Sequence, residues 1–175
     1  MKALIIIDML NGFCRKGYPL SLHTSTQGIE KYIAKQISKF LKNSDKVVFV
    51  CDSHNNNDPE IGRPYPRHCM KGSQEAEIIE DLKPFIKDSV LFYKNTLSIL
   101  FNNHLDEYLN QIKPTEIEIT GVCTDICVLF AVYELRIRGY NVFVSNKGVL
   151  PLDKTKQNEF LNYFENRLGA KIDYK

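Results

Sequence analysis

Ala3-Leu4-Ile5-Ile6-Ile7, closed by Asp8, is the stretch whose reading decides the fold. A half-buried strand alternates apolar and polar residues. This run does not alternate, and it is rich in β-branched isoleucine. It reads as a strand covered on both faces, the signature of a parallel sheet. At five residues it is shorter than the roughly 7–15 apolar residues of a secretory signal. A membrane span needs about 20. No other stretch has either pattern, so a cytoplasmic chain with no membrane partner is expected.

Working outward, the same kind of run returns at 46–51 (KVVFVC), and further strand candidates stand at 90–93, 117–120 and 140–145. Residues 170–173 offer a sixth. Helical patterns lie between them. Ile29, Ile33, Ile37, Phe40 and Leu41 share one face over 26–42, with Lys and Glu opposite. Residues 75–82 read as a short helix. Leu105, Tyr108, Leu109 and Ile112 line one face over 104–112. Residues 125–138 form a largely apolar helix stopped by Gly139, and 154–168 the last one. Strands alternating with helices predict an α/β three-layer sandwich: a mostly parallel six-stranded sheet, Rossmann-like, with helices on both faces and right-handed crossovers. No repeat, linker or low-complexity segment appears, so residues 1–175 are read as a single domain of ordinary size.

Composition narrows the class. Hydrophobic residues make up 43% and charged residues 25% of the 175, as in a soluble globular protein. This excludes a disordered tail or a disulfide-dense miniprotein. Lys and Arg number 23 against 21 Asp and Glu, a net charge of +2. That balance carries no electrostatic footprint for nucleic acid. The five cysteines, Cys14, Cys51, Cys69, Cys123 and Cys127, are odd in number in a chain expected to be intracellular. Disulfides are not expected, and one reactive thiol among structural ones is the alternative.

In open α/β sheets, ligands bind beyond the carboxyl ends of the strands. Asp8, Asp52 with His54, Lys94, and the segment from Gly121 to Cys127 all follow strand ends. Cys127 lies about two residues inside a helix, where N–H groups and the helix dipole favour a thiolate; equally it is a small buried hydrophobe. Asp8 is a general base for such a thiol, or a cap on the following turn. Lys94 pairs with Asp8, or is a solvated lysine. The long polar loop over 52–72 carries Asp52, His54, Glu60 and His68, a mixed O/N set suited to zinc, iron or manganese. Cys69 beside His68 leaves a thiolate ligand open. The alternative is a polar loop with incidental histidines.

Together these residues resemble a known family. Ile5-Ile6-Ile7-Asp8-Met9-Leu10-Asn11-Gly12-Phe13 is similar to the opening motif of the isochorismatase-like cysteine hydrolases. Gly121-Val122-Cys123-Thr124-Asp125-Ile126-Cys127-Val128 resembles their nucleophile motif. Asp52-Ser53-His54 with Tyr65-Pro66-Arg67-His68 resembles the metal segment of the nicotinamidase branch. The likeness runs from Lys2 to about Gly148.

The resemblance implies an Asp8–Lys94–Cys127 triad with an oxyanion hole from the backbone N–H groups of Cys123 and Cys127. It implies a cis bond at Val122–Cys123. It also implies a divalent metal on Asp52, His54 and His68, with Glu60 as the variable fourth ligand. Zinc is the first choice, iron and manganese the alternatives. Phe13 and Tyr65 would stand against the substrate ring. The implied activity is hydrolysis of nicotinamide to nicotinate and ammonia, within pyridine nucleotide (NAD) salvage. Hydrolysis of another small amide or of an N-carbamoyl or ureido compound is the alternative within the fold. A catalytically silent metal-binding relative is the alternative outside enzymology. The partner is then a small-molecule amide, and a homo-oligomer is compatible with the family. One departure stands out: the motif often reads Asn-Asp-Phe, and here Gly12 replaces the Asp.

Overall fold

The computed structural model describes residues 1–175. Six strands form one sheet: β1 Ala3–Ile7, β2 Lys46–Asp52, β3 Val90–Lys94, β4 Ile117–Val122, β5 Val142–Leu150 and β6 Lys171–Asp173. Their order is β3-β2-β1-β4-β5-β6, and every pairing is parallel. The strand order reverses beside β1, which pairs with β2 on one side and β4 on the other. Such a reversal opens a crevice at the carboxyl ends, the place where α/β sheets bind ligands.

The continuous apolar reading of β1 has a direct physical basis. Ala3, Ile5 and Ile7 enter one core with Val128, Ala131 and Leu135, while Leu4 and Ile6 enter a second with Ile33, Ile37 and Phe40. Both faces are covered, so no polar alternation is possible. Five α-helices accompany the strands: α1 Asn11–Cys14, α2 Gln27–Lys42, α3 Leu105–Ile112, α4 Cys127–Ile137 and α5 Gln157–Asn166. In α2 the buried residues Ile29, Ile33, Ile37 and Phe40 recur at helical spacing, and the charged residues Lys31, Lys35, Lys39 and Lys42 lie outside. No helix is long and apolar enough to cross a membrane.

Several expected bounds shift. Residues 75–82 are not one α-helix but two 3-10 segments, Gln74–Ala76 and Glu80–Asp88. Pro84 lies inside the second, where it removes a backbone donor and blocks a regular α-turn. The helix expected from Asp125 starts at Cys127, so Cys127 is its first residue rather than lying two residues inside. Strand β5 starts two residues later than expected and runs on to Leu150. The short helix α1 was not expected. It follows Leu10, whose bridge to Ile78 pins its start.

Strand β4 continues through Gly121, which has φ +117. A Cβ there would overlap the Ile7 backbone. Only glycine lets β4 pass β1 this closely next to Asp8.

Candidate active site

The carboxyl ends of four adjacent strands, β3, β2, β1 and β4, deliver the reactive groups. Asp8 follows β1 with φ 52, and its Oδ1 accepts the Asp52 N–H at 2.9 Å. Asp52 ends β2 and pairs in register with Lys94, the last residue of β3. Cys127 opens α4 just beyond β4. Asp8, Asp52, Lys94 and Cys127 are all buried. Lys94 Nζ forms an ion pair with Asp8 Oδ2 at 2.9 Å, a second with Asp52 Oδ1, and stands 3.6 Å from Cys127 Sγ. The Asp8, Asp52 and Cys127 donor atoms lie within 4.8 Å of one another.

One cation among two carboxylates sets the protonation states. Burial and the Asp52 charge push the Asp8 carboxyl up to about 6, against the pull of Lys94. Burial also works to raise Asp52, but Lys94 and the neighbouring His54 and His68 rings outweigh it and hold Asp52 well below the carboxylate range. Burial disfavours the Lys94 charge, yet the two carboxylates keep the ammonium firmly protonated. Cys127 corrects an expectation. Burial raises its thiol well above the ordinary value, and the neighbouring Lys94 only partly offsets this. Desolvation outweighs the helix start, so the resting group is a thiol that needs a base. The other thiols are also held up by burial: Cys14 to about 12, and Cys51, Cys69 and Cys123 well above the ordinary thiol value.

The Val122–Cys123 bond is cis, as the resemblance implies. The N–H groups of Cys123 and Cys127 donate to no other protein group. For Cys127 this follows from its place in the first turn of α4, whose donors have no intrahelical partner.

Asp52, His54 and His68 form the second grouping, with one donor atom of each within 4.8 Å of the others. His54 Nε2 and His68 Nε2 lie 3.6 and 3.7 Å from Asp52 Oδ2. His68 Nδ1 bonds the Pro66 carbonyl at 2.8 Å, which leaves Nε2 as the free lone pair facing Asp52. Both ring nitrogens of the fully buried His54 lack a hydrogen-bond partner. An uncompensated buried imidazole is costly, and a divalent cation between these three donors removes that cost. The residues therefore fit a metal. Asp58, four residues after His54, places its Oδ2 3.6 Å from His54 Nδ1. A carboxylate behind a ligand histidine is the usual orienting arrangement, and the i, i+4 spacing was the signal available for it.

Glu60 lines the adjoining cavity, where burial and the Asp52 charge raise its carboxyl. It is not part of the three-residue donor cluster. Phe13 and Tyr65 line the same cavity, with ring centres 6.0 and 5.9 Å from that of His68 and edge-on geometry. The wall is completed by Leu20, Leu97, Val122, Ile126 and Leu152. Leu20, Leu97 and Leu152 come from distant loops, and nothing local in the sequence marks them. Larger grooves, of about 730 and 720 Å³, lie elsewhere and hold none of Asp8, Lys94 or Cys127.

Cys127, Asp52 and His68 thus line a small, mostly apolar cavity, with Lys94 and Asp8 buried behind them. Comparison with known proteins identifies the family. A family model described as the isochorismatase domain matches residues 2–174. The crystal structure of nicotinamidase PncA from Bacillus subtilis superposes with a TM-score of 0.91 at 29% identity, covering 99% of each chain. The nicotinamidase/pyrazinamidase of Mycobacterium tuberculosis is 30% identical over 146 residues, 73% of this chain and 75% of its own length. N-carbamoylsarcosine amidase from Thermoplasma acidophilum shares the fold at a TM-score of 0.87 and 28% identity, over 99% of this chain and 96% of that one. The chain belongs to the isochorismatase family, whose members among these relatives are amidohydrolases.

Proposed function

We propose that the protein is a nicotinamidase, hydrolysing nicotinamide to nicotinate and ammonia with Cys127 as nucleophile. The observation that carries this reading is that Lys94 joins two clusters, Asp8–Lys94–Cys127 and Asp52–His54–His68, whose Cys127, Asp52 and His68 line one apolar cavity. No Arg or Lys lines that cavity. A neutral aromatic amide suits it better than a carbamoyl compound carrying a carboxylate, which would lack a cationic side-chain partner.

In this mechanism Phe13 and Tyr65 flank the ring and direct the carboxamide carbon toward Cys127. Such fixed orientation contributes several kcal/mol, out of the roughly 7–11 available from proximity. When bound by Asp52, His54 and His68, a divalent ion supplies a Lewis-acid contact for the ring nitrogen, directly or through water. Zinc suits this donor set, as do iron and manganese. Asp8 is mostly ionised at neutral pH, and it takes the Cys127 proton as Sγ attacks the carboxamide carbon. The N–H groups of Cys123 and Cys127 stabilise the oxyanion. Asp8 returns the proton to the nitrogen, the C–N bond breaks and ammonia leaves, giving a thioester. Asp8 then deprotonates water, which attacks the thioester carbon. Nicotinate departs and the sulfur recovers its proton. Lys94 holds Asp8 in place and balances its charge throughout.

The test is a substrate panel with metal content measured on the same sample. Hydrolysis of nicotinamide, with little or none of N-carbamoylsarcosine, is expected. The reverse preference would assign the protein to the carbamoyl amidases of the family.

A further inference from the structure

The turn over residues 123–126, whose Cys123 and Ile126 line the cavity, has a fixed point outside it. Thr124 is fully buried, and its hydroxyl donates to Gln157 Oε1 at 2.9 Å. Gln157 is the first residue of α5. Its Nε2 donates to Asn146 Oδ1 at 3.0 Å, to the Val149 carbonyl at 3.1 Å and to the Asn146 carbonyl at 3.3 Å. Those carbonyls need a donor for a structural reason. The β4–β5 register slips between Ile119 and Gly121, so β5 pairs regularly at Val144 and next at Val149. One amide therefore ties the interrupted part of β5 to the turn that follows β4.

Two further bonds tie the same segments together. The Thr124 N–H donates to the Leu150 carbonyl at 3.0 Å. The Leu152 N–H donates to Asp125 Oδ1 at 3.0 Å, which seats Leu152 in the cavity wall. Of these contacts, only that of Gln157 demands a side chain that both accepts and donates. A carboxylate in its place would face two carbonyls with no proton to give, and an alkyl chain would leave the buried Thr124 hydroxyl unsatisfied.

We infer that Gln157 is a positioning residue: its amide clamps Thr124 and thereby fixes the turn that carries the free Cys123 N–H. The inference rests on the reading of Cys127 as the nucleophile. An oxyanion donor works only when held in advance where the negative charge will develop. Loosening the clamp therefore acts on the transition state more than on substrate binding, and lowers kcat rather than raising KM. It does not touch Asp8, Lys94 or the thiol.

The experiment compares wild type with Gln157→Leu, Thr124→Val and the double variant in three measurements. In hydrogen exchange by mass spectrometry, the peptide spanning 121–128 is expected to exchange about tenfold faster or more in each variant, with the strands unchanged. In nicotinamide hydrolysis, kcat is expected to fall roughly 10–100-fold, below the full loss of an oxyanion donor, with KM within about threefold. The double variant should be no slower than the worse single one, because both remove one interaction. Alkylation of Cys127 by iodoacetamide should stay within about twofold of wild type, since attack at a saturated carbon builds no oxyanion. Unchanged exchange in both single variants overturns the clamp whatever the substrate. Unchanged kcat in an active enzyme, or a parallel loss of alkylation and hydrolysis, overturns its positioning role. A wild type that cleaves no nicotinamide counts against the proposed substrate, and the exchange measurement then decides the clamp by itself.

Discussion

Lys94 Nζ lies 3.6 Å from Cys127 Sγ while pairing with both Asp8 and Asp52. The lysine is the joint between the proposed base and the proposed metal-binding carboxylate. It also explains how two buried carboxylates coexist with oxygens within 4.8 Å of one another. Burial and then their repulsion raise Asp8, and the shared ammonium limits the rise to about 6.

Lys94→Met should leave that pair of carboxylates without a cation. Breaking a buried ion pair from one side costs about 3–5 kcal/mol. The expected result is an unfolding free energy, measured by urea titration, lower by that amount, together with loss of hydrolysis. Asp8→Asn in the Lys94→Met background should recover part of the stability, because it removes one uncompensated charge, and recover none of the activity.

The metal reading predicts one ion per chain in protein purified without chelator. His68→Ala removes a donor directly, so affinity should fall by more than the roughly 10–100-fold typical of outer-shell losses. Asp58→Asn should fall within that smaller range. Competition with a chromogenic chelator measures both. Equal affinity in wild type and His68→Ala would move the site elsewhere.

Far from the cavity, Glu30 is buried on α2, where it accepts from Arg15 Nη1 at 2.7 Å and from the Thr26 hydroxyl. Burial by itself would raise its carboxyl. Arg15 and Thr26 outweigh that and hold it below its ordinary value of 4.5. A depressed folded-state pKa stabilises the fold above the unfolded value, and that contribution is lost as pH falls through the folded one. Wild type should exceed Glu30→Gln in stability at neutral pH, with the gap closing below about pH 4.5. Urea titrations at a series of pH values measure the gap.

Gly12, the departure in the opening motif, has a local explanation. A Cβ at that position would lie 2.5 Å from Glu75 Cγ and 2.9 Å from Cys69 Sγ. Glu75 occupies the space that a side chain on residue 12 would need. Gly12→Asp is expected to cost about 1–3 kcal/mol by overpacking. Combining it with Glu75→Ala should return most of that loss. Thermal denaturation of the two single variants and the pair tests this, and additive losses would count against it.

Much of the fold was legible because β1 and β2 are buried on both faces, which leaves unbroken apolar runs, and because α2 has one clean apolar face. The 3-10 segments were not, since their period lies close to that of an α-helix and Pro84 alone decides against one. The convergence of Asp8, Asp52, Lys94 and Cys127 could be read from strand ends, because a parallel sheet brings all its carboxyl ends to one edge. The protonation state of Cys127 could not, because burial is a property of the packed chain. Leu97, Leu152 and Gln157 reach the site by tertiary approach, with no local pattern to mark them. Glu60 reaches the cavity and not the donor cluster, and a loop rich in Pro and Gly gives no period from which to place it.

Ammonia release from nicotinamide by metal-loaded wild type and Cys127→Ala, side by side, tests the central claim most directly. Wild type should turn over, and Cys127→Ala should fall by at least about a thousandfold, the scale of losing a covalent nucleophile. Cys127→Ala protein that releases ammonia at the wild-type rate would contradict the account.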